Sequence, residues 1–296
     1  MGIIIQYILN GISMGSIYAL TAIGYSLVYS ILGLINMSHA AVFMTSAIIF
    51  YAFFNFVSGG LPLWMCFIFT LVTAGLLGWI IERVAIRPIR IKGDGMTYAL
   101  IASIGVKIIL EKPCQGLFGS EIKPFPTILE GKYIDIFGAR MAAIQIIIIA
   151  MTLIILASMN WFTQKTKQGR ALRALSQNLE ACYLMGIPVN TMISLGFVIG
   201  SMLAAIAGIF YCMYYSSVMI TISANISSKA FAATVLGGIG ALKGSVIGGF
   251  LLGIIEMITA ALIGAEYRNM IAFCILIAVL IFRPTGLFGQ KEQKKV

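Results

Sequence analysis

No Asp, Glu, Lys or Arg occurs in this chain before Glu82. A soluble fold needs charge on its surface to stay dispersed, and about a quarter of the residues in an ordinary soluble domain are ionised. Over all 296 residues the charged share is 10%, the hydrophobic share is 60% and the mean hydropathy is +1.01. The chain therefore belongs in a bilayer. Membrane-crossing strands run for about ten residues with alternating polarity. The apolar runs here are continuous, as in 142–161, so the crossing elements are helices, which satisfy their own backbone groups in lipid. The expected fold class is all-α: a polytopic transmembrane helical bundle forming one domain over 1–296.

The apolar runs predict about eight spans, near 5–31, 38–57, 62–82, 96–111, 141–161, 190–215, 229–263 and 268–283. Residues 1–35 lack a basic leader region and exceed the length of a signal-peptide core, so they read as a retained span. The seventh run is too long for one straight crossing of about 20 residues. Gly237, Gly238, Gly240 and Gly244 interrupt it. This predicts a half-helix, a break near Lys243 and then a full crossing.

The net charge is +10. In a soluble protein that would suggest nucleic acid; in a membrane protein basic residues mark the cytoplasmic side. Arg83, Arg87, Arg90 and Lys92 form one cluster, Lys165, Lys167, Arg170 and Arg173 a second, and Arg283, Lys291, Lys294 and Lys295 a third. The segment 111–140 mixes Lys112, Lys123, Lys132 and Arg140 with Glu111, Glu121, Glu130 and Asp135, and belongs outside. With the break at the cytoplasmic face, the N-terminus falls outside too.

Between two apolar blocks lies a polar island, residues 165–188. At 100° per residue Arg170, Arg173, Gln177 and Glu180 share one side of a helix, and Leu172, Leu175, Leu179 and Cys182 the other. Gly186 followed by Pro188 is a stop signal. Such a helix either lies on the lipid surface or docks a partner.

The chain offers no catalytic set and only one histidine, His39. The nearest imitation of a phosphate-binding loop, residues 240–245, has Lys243 before Gly244 and cannot cradle phosphate. Five scattered cysteines without CxxC spacing argue against a disulfide framework or a metal site. Neither an enzyme nor a cofactor is expected. Polar residues at membrane depth are the candidates for function. Asn36, Ser38 and His39 interrupt the first apolar block, either to contact a solute or to satisfy a break in the backbone. Lys107 and Glu111 read as a pair near the outer interface. Glu256 falls mid-helix and needs a hydrogen-bond partner, a proton or water. Gly240, Gly244 and Gly248, Gly249 and Gly253, and Gly11, Gly15 and Ala19 repeat at intervals of four, spacing that brings helix backbones close.

Seven stretches in order carry a resemblance to a known family: residues 15–20, 34–39, 82–88, 169–174, 178–187, 236–240 and 283–289. Over nearly its full length the chain resembles the inner-membrane permeases of high-affinity branched-chain amino acid ABC transporters, and among them the shorter of the two permease subunits. The resemblance implies the helical fold of type II ABC importers. It also implies a second permease subunit, two cytoplasmic ATPases, an extracytoplasmic binding protein and a setting in the bacterial inner membrane. The 169–187 helix would be the coupling helix seated in an ATPase groove, with Gly169, Arg170, Arg173, Leu175, Asn178, Leu179, Leu184 and Gly186 in that role. Gly240, Gly244 and Gly248 would let helices slide. Ala40 and Ala41 stand where the family commonly has Gly-Glu, and related permeases handle urea, short-chain amides or other amino acids. The rival classes are an ion-coupled secondary transporter and a membrane scaffold.

Overall fold

The structure, a computed structural model, describes residues 2–56, 62–93, 96–125, 131–136 and 138–289. Lys291, Lys294 and Lys295 of the third basic cluster, and Glu130, lie outside the described residues. Seven helical stretches among the described residues are long and apolar enough to cross a membrane: Ile4–Leu32, Ser38–Asn55, Leu63–Lys92, Ala143–Lys165, Val189–Tyr215, Leu242–Leu262 and Ala265–Phe282. An eighth long helix, Met96–Phe118, contains Pro113 and the charged Lys107, Glu111 and Lys112. The eight expected runs therefore all appear as helices.

Helix α1 (Gly2–Leu32) is the central post. It is apolar all round, as a helix enclosed on every side should be. Helix α2 (Ser38–Phe56) follows, then α3 (Leu63–Ile80), a wide π-helical turn (Ile81–Ile86) and α4 (Arg87–Lys92). Next come α5 (Met96–Phe118) and α6 (Ala143–Lys165), then the short α7 (Lys167–Leu175) and α8 (Leu179–Leu184). Helix α9 (Val189–Tyr215) leads to the half-helix α10 (Ile222–Gly237), α11 (Leu242–Leu262) and α12 (Arg268–Phe282).

Close backbone approach explains the glycine spacing. A methyl group on Gly15 would stand 2.8 Å from the Cα of Phe250, and one on Gly11 2.7 Å from the Cα of Ile254. Nothing larger than hydrogen fits at these two positions in the seam between α1 and α11. Gly244 and Gly248 face α10 at Gly237 and Ala233. Both seams lie inside the chain. Gly240 differs from the sequence expectation: it sits in the break at φ +82, with Gly238 at φ +111, and turns the chain between α10 and α11. The break at 238–241 lies just before the expected Lys243.

The two ends of the bundle are distinct. At one end strands β1 (Lys123–Pro124) and β4 (Ser217–Val218) pair antiparallel, and β2 (Tyr133–Ile136) pairs with β3 (Ala139–Ala142), with Asp135 opposite Arg140. Gln6 of α1 bonds both the N–H and the carbonyl of Arg140, each at 2.7 Å. The start of α1 and the mixed-charge segment thus share an end. The opposite end gathers the close of α1, α7, α8 and the break.

Candidate functional site

The polar island folds as two short helices, a correction to the single helix expected over about 168–187. Ser176, Gln177 and Asn178 separate them. Asn178 caps α8: its Oδ1 accepts the N–H of Glu180 at 3.0 Å and of Ala181 at 3.1 Å, a geometry that competes with continuous helix. Thr166 caps α7 by accepting the Gly169 N–H at 2.9 Å. Gly186 lies in the left-handed region at φ +75, and the Ile187 N–H reaches the Cys182 carbonyl at 3.0 Å. This closes α8 in the way glycine ends helices.

The expected faces separate. Leu172, Leu175 and Cys182 are buried and Leu179 half-buried, whereas Arg170, Arg173, Gln177 and Glu180 are exposed. Burial of Leu175 at 1% and of Gly169, where a methyl would stand 2.6 Å from the Thr163 Cα, leaves neither free to meet a partner. They fix the platform to α6 and α9 instead. The end of α8 is the opposite case. Tyr183, Leu184 and Met185 are 76%, 84% and 81% exposed, an apolar tip at the basic end of the molecule. Beside the platform a cavity of about 1300 Å³ is lined by Ser30, Leu172, Arg173, Asn178, Lys243 and Phe288. It joins the close of α1, the platform and the α10–α11 break.

Asn36, Ser38 and His39 are all buried. The chain turns back beside the last turns of α1, and α2 starts with the His39 ring 4.5 Å from that of Tyr25. Asn36 Oδ1 accepts the Ser38 N–H at 3.2 Å and the Ser38 hydroxyl, so this pair holds the break. The Tyr25 hydroxyl in turn lies 3.3 Å from the Ser227 hydroxyl of α10.

Glu256 is 1% exposed and fully partnered. It accepts the Tyr18 hydroxyl at 2.7 Å and forms an ion pair with Lys229 of α10. Lys107 pairs with Glu111 at 3.8 Å, and Glu111 also accepts the Ser223 hydroxyl. Helix α10 is thus held from behind by its hydrogen bonds with Tyr25, Glu111 and Glu256. Its other face exposes Ala224, Asn225 and Ser228, with Thr221 exposed just before its first turn. Exposed positions of α6 and α12, such as Leu153, Ile154, Ile277 and Ile281, are apolar instead. Ser228 and Asn225 lie nine and twelve residues from Gly237, about 14 and 18 Å along the helix axis.

A second buried carboxylate escapes motif reading. Glu82, 0% exposed, accepts Arg87 Nε at 3.1 Å and Nη2 at 2.7 Å, Arg90 Nη2 at 3.4 Å, and the Ser194 hydroxyl of α9 at 2.7 Å. Arg90 also donates to Asn190 Oδ1 at 2.7 Å. Spacing within 82–90 hints at the arginines, but Ser194 and Asn190 sit more than 100 residues away.

Residues 7–280 match the family model described as branched-chain amino acid transport system / permease component. The chain is 39% identical over 302 residues to the high-affinity branched-chain amino acid transport system permease protein BraD of Pseudomonas aeruginosa, covering 99% of this chain and 98% of that one. It is 35% identical to the permease protein LivH of Escherichia coli K12, covering 99% and 97%. Among solved structures it shares its fold with PsaBC from Streptococcus pneumoniae in complex with Fab, at TM-score 0.51 and 18% identity, over 95% of this chain and 93% of that one. The apolar spans and these relatives make it a multi-pass inner-membrane protein. By the family match and by both near-full-length relatives, the chain belongs to the family of branched-chain amino acid transport permease components.

Proposed function

We propose that this chain is a permease subunit of an ATP-driven importer that carries branched-chain amino acids inward. A second permease subunit completes the passage, two cytoplasmic ATPases drive it, and an extracytoplasmic binding protein delivers the solute. The reading is carried by the apolar tip Tyr183, Leu184 and Met185, standing clear of the bundle at its basic end. Exposed apolar clusters rimmed by charge are contact sites. In this reading the tip, with Arg170 and Arg173, meets an ATPase. Gly169, Leu175, Asn178, Leu179 and Gly186 hold the platform in shape. The solute meets Thr221, Asn225 and Ser228, in place of the buried Asn36, Ser38 and His39. ATPase closure pushes the tip, the motion reaches the break at 238–241 across the shared cavity, and the glycine seams at Gly244 and Gly248 let α10 and α11 shift.

Substituting Leu184→Asp tests this. The side chain is 84% exposed, so expression and thermal stability are expected to hold. Uptake and solute-stimulated ATPase activity of the reconstituted complex are expected to fall at least tenfold. Normal uptake would refute the role of the tip. An ion-coupled carrier draws support from the buried Glu256, yet Lys229 and Tyr18 already satisfy that carboxylate. Gradient-driven uptake by the purified chain alone in liposomes would favour the carrier. Comparing leucine with urea and acetamide as stimulants of the ATPase assigns the solute.

A further inference from the structure

The cluster around Glu82 joins three elements at the basic end: the π-helical turn after α3, α4, and the first turns of α9. A carboxylate shielded from solvent, facing two arginines and a hydroxyl, is costly to desolvate and strongly destabilised when a partner is removed. The π-helical turn is itself a less stable geometry than α-helix, frequent at functional sites. Both features lie beside α8, across an open groove from its tip. Arg90, Ile91, Tyr183, Leu184, Val189 and Asn190 line one apolar groove of about 490 Å³. Asn190 is the second residue of α9, only four beyond Gly186.

Asn190 is thus one route by which a displacement of α8 reaches α9. From there a 2.7 Å hydrogen bond leads to Arg90, then to Glu82, and Ser194 closes the loop back to α9 through both Glu82 and Arg87, each at 2.7 Å. Farther along, α3 lies directly on α9: a methyl on Gly75 would stand 2.8 Å from the Met202 side chain, and one on Gly78 would collide with Phe197 and Ser201. The polar clamp continues this glycine seam by about one helical turn, since Gly78 lies four residues before Glu82 and Phe197 three after Ser194.

We infer that Glu82, Arg87, Arg90, Asn190 and Ser194 form a clamp that makes α3 and α9 move as one lever when α8 is pushed, so that these are positioning residues for transport. This rests on the coupling role of α8 proposed above. Asn190 forms the link nearest the tip and is exposed, which allows it to be changed while Arg87, Arg90 and Ser194 still hold the buried carboxylate, whereas Arg90→Gln removes one of its two arginines and leaves Arg87 and Ser194 in place.

The experiment uses the full complex with its ATPases and binding protein in liposomes, with radiolabelled leucine as the solute. Asn190→Ala and Arg90→Gln are expected to leave complex assembly and ATPase turnover within twofold of the parent, while leucine moved per ATP hydrolysed falls at least fivefold. Asn190→Asp, which keeps an acceptor for Arg90, is expected to restore the ratio. An unchanged ratio in both variants would overturn the clamp, as would a loss of ATPase activity and uptake in equal proportion, the mark of a merely structural role. Failure of the parent complex to couple leucine uptake to ATP would instead remove the reading on which the clamp rests.

Discussion

Glu256 and Lys229 form an ion pair shielded from solvent, which is costly to break. Lys229→Met would leave a carboxylate of 1% exposure with only the Tyr18 hydroxyl. Removing one partner from a buried ion pair costs about 3–5 kcal/mol, and that loss is the expected outcome in thermal unfolding of the detergent-solubilised protein. The double variant Lys229→Met with Glu256→Met is expected to lose less than the sum of the two single changes, because no charge is then stranded. A strictly additive result would argue against direct pairing. Sequence reading identified Glu256 as a group in need of a partner but named none. The partner was in reach: folding the seventh apolar run back on itself near Lys243 sets residue 229, fourteen positions before, against residue 256, thirteen after. Arg87 and Glu82 were legible as neighbours in one motif, whereas Ser194 and Asn190 belong to a helix that only tertiary packing brings near.

Among the elements, α10 departs most from what hydropathy describes. It exposes the polar Asn225 and Ser228, whereas the exposed positions of α6 and α12 named above are apolar. With Cys274 changed to Ser, Asn225→Cys and Ser228→Cys in the assembled complex are expected to react with a charged, membrane-impermeant thiol reagent at least tenfold faster than Ile277→Cys on α12. Saturating solute is expected to slow that reaction. Equal rates would return α10 to the lipid face. The periodicity of 165–188 made both sides of the platform legible but concealed its division, since Leu172, Leu175, Leu179 and Cys182 keep one stripe across the turn. Asn178 carried the missing signal, because asparagine with free N–H groups two and three residues ahead is a helix start. For Asn36, Ser38 and His39 sequence reading left the choice open; their burial against Tyr25 favours the backbone break over solute contact.

At the level of the whole molecule, the gathering of basic segments at one end and of the mixed-charge segment at the other was the most legible property, and the rule that arginine placement follows insertion assigns the basic end to the cytoplasm as an expectation. The start of α1 and the β2–β3 hairpin share the end opposite the platform. Lys132→Cys is therefore expected to label from the outside of intact cells, and Arg173→Cys only after permeabilisation. The reverse pattern would invert the topology and dismiss the cytoplasmic platform. Which helices touch was much less legible: small residues announced close seams, but only the folded chain pairs Gly15 with Phe250 and Gly248 with Ala233.

The turn between α10 and α11 is finished by a distant segment. The N–H groups of Leu287 and Phe288 bond the carbonyls of Leu236 and Gly237 at 2.9 and 3.0 Å, and Gly286 packs on Gly238. A ribosome delivers that segment some fifty residues after the turn itself. The turn is thus closed only after some fifty further residues have been made, and until then the carbonyls of Leu236 and Gly237 lack these two donors.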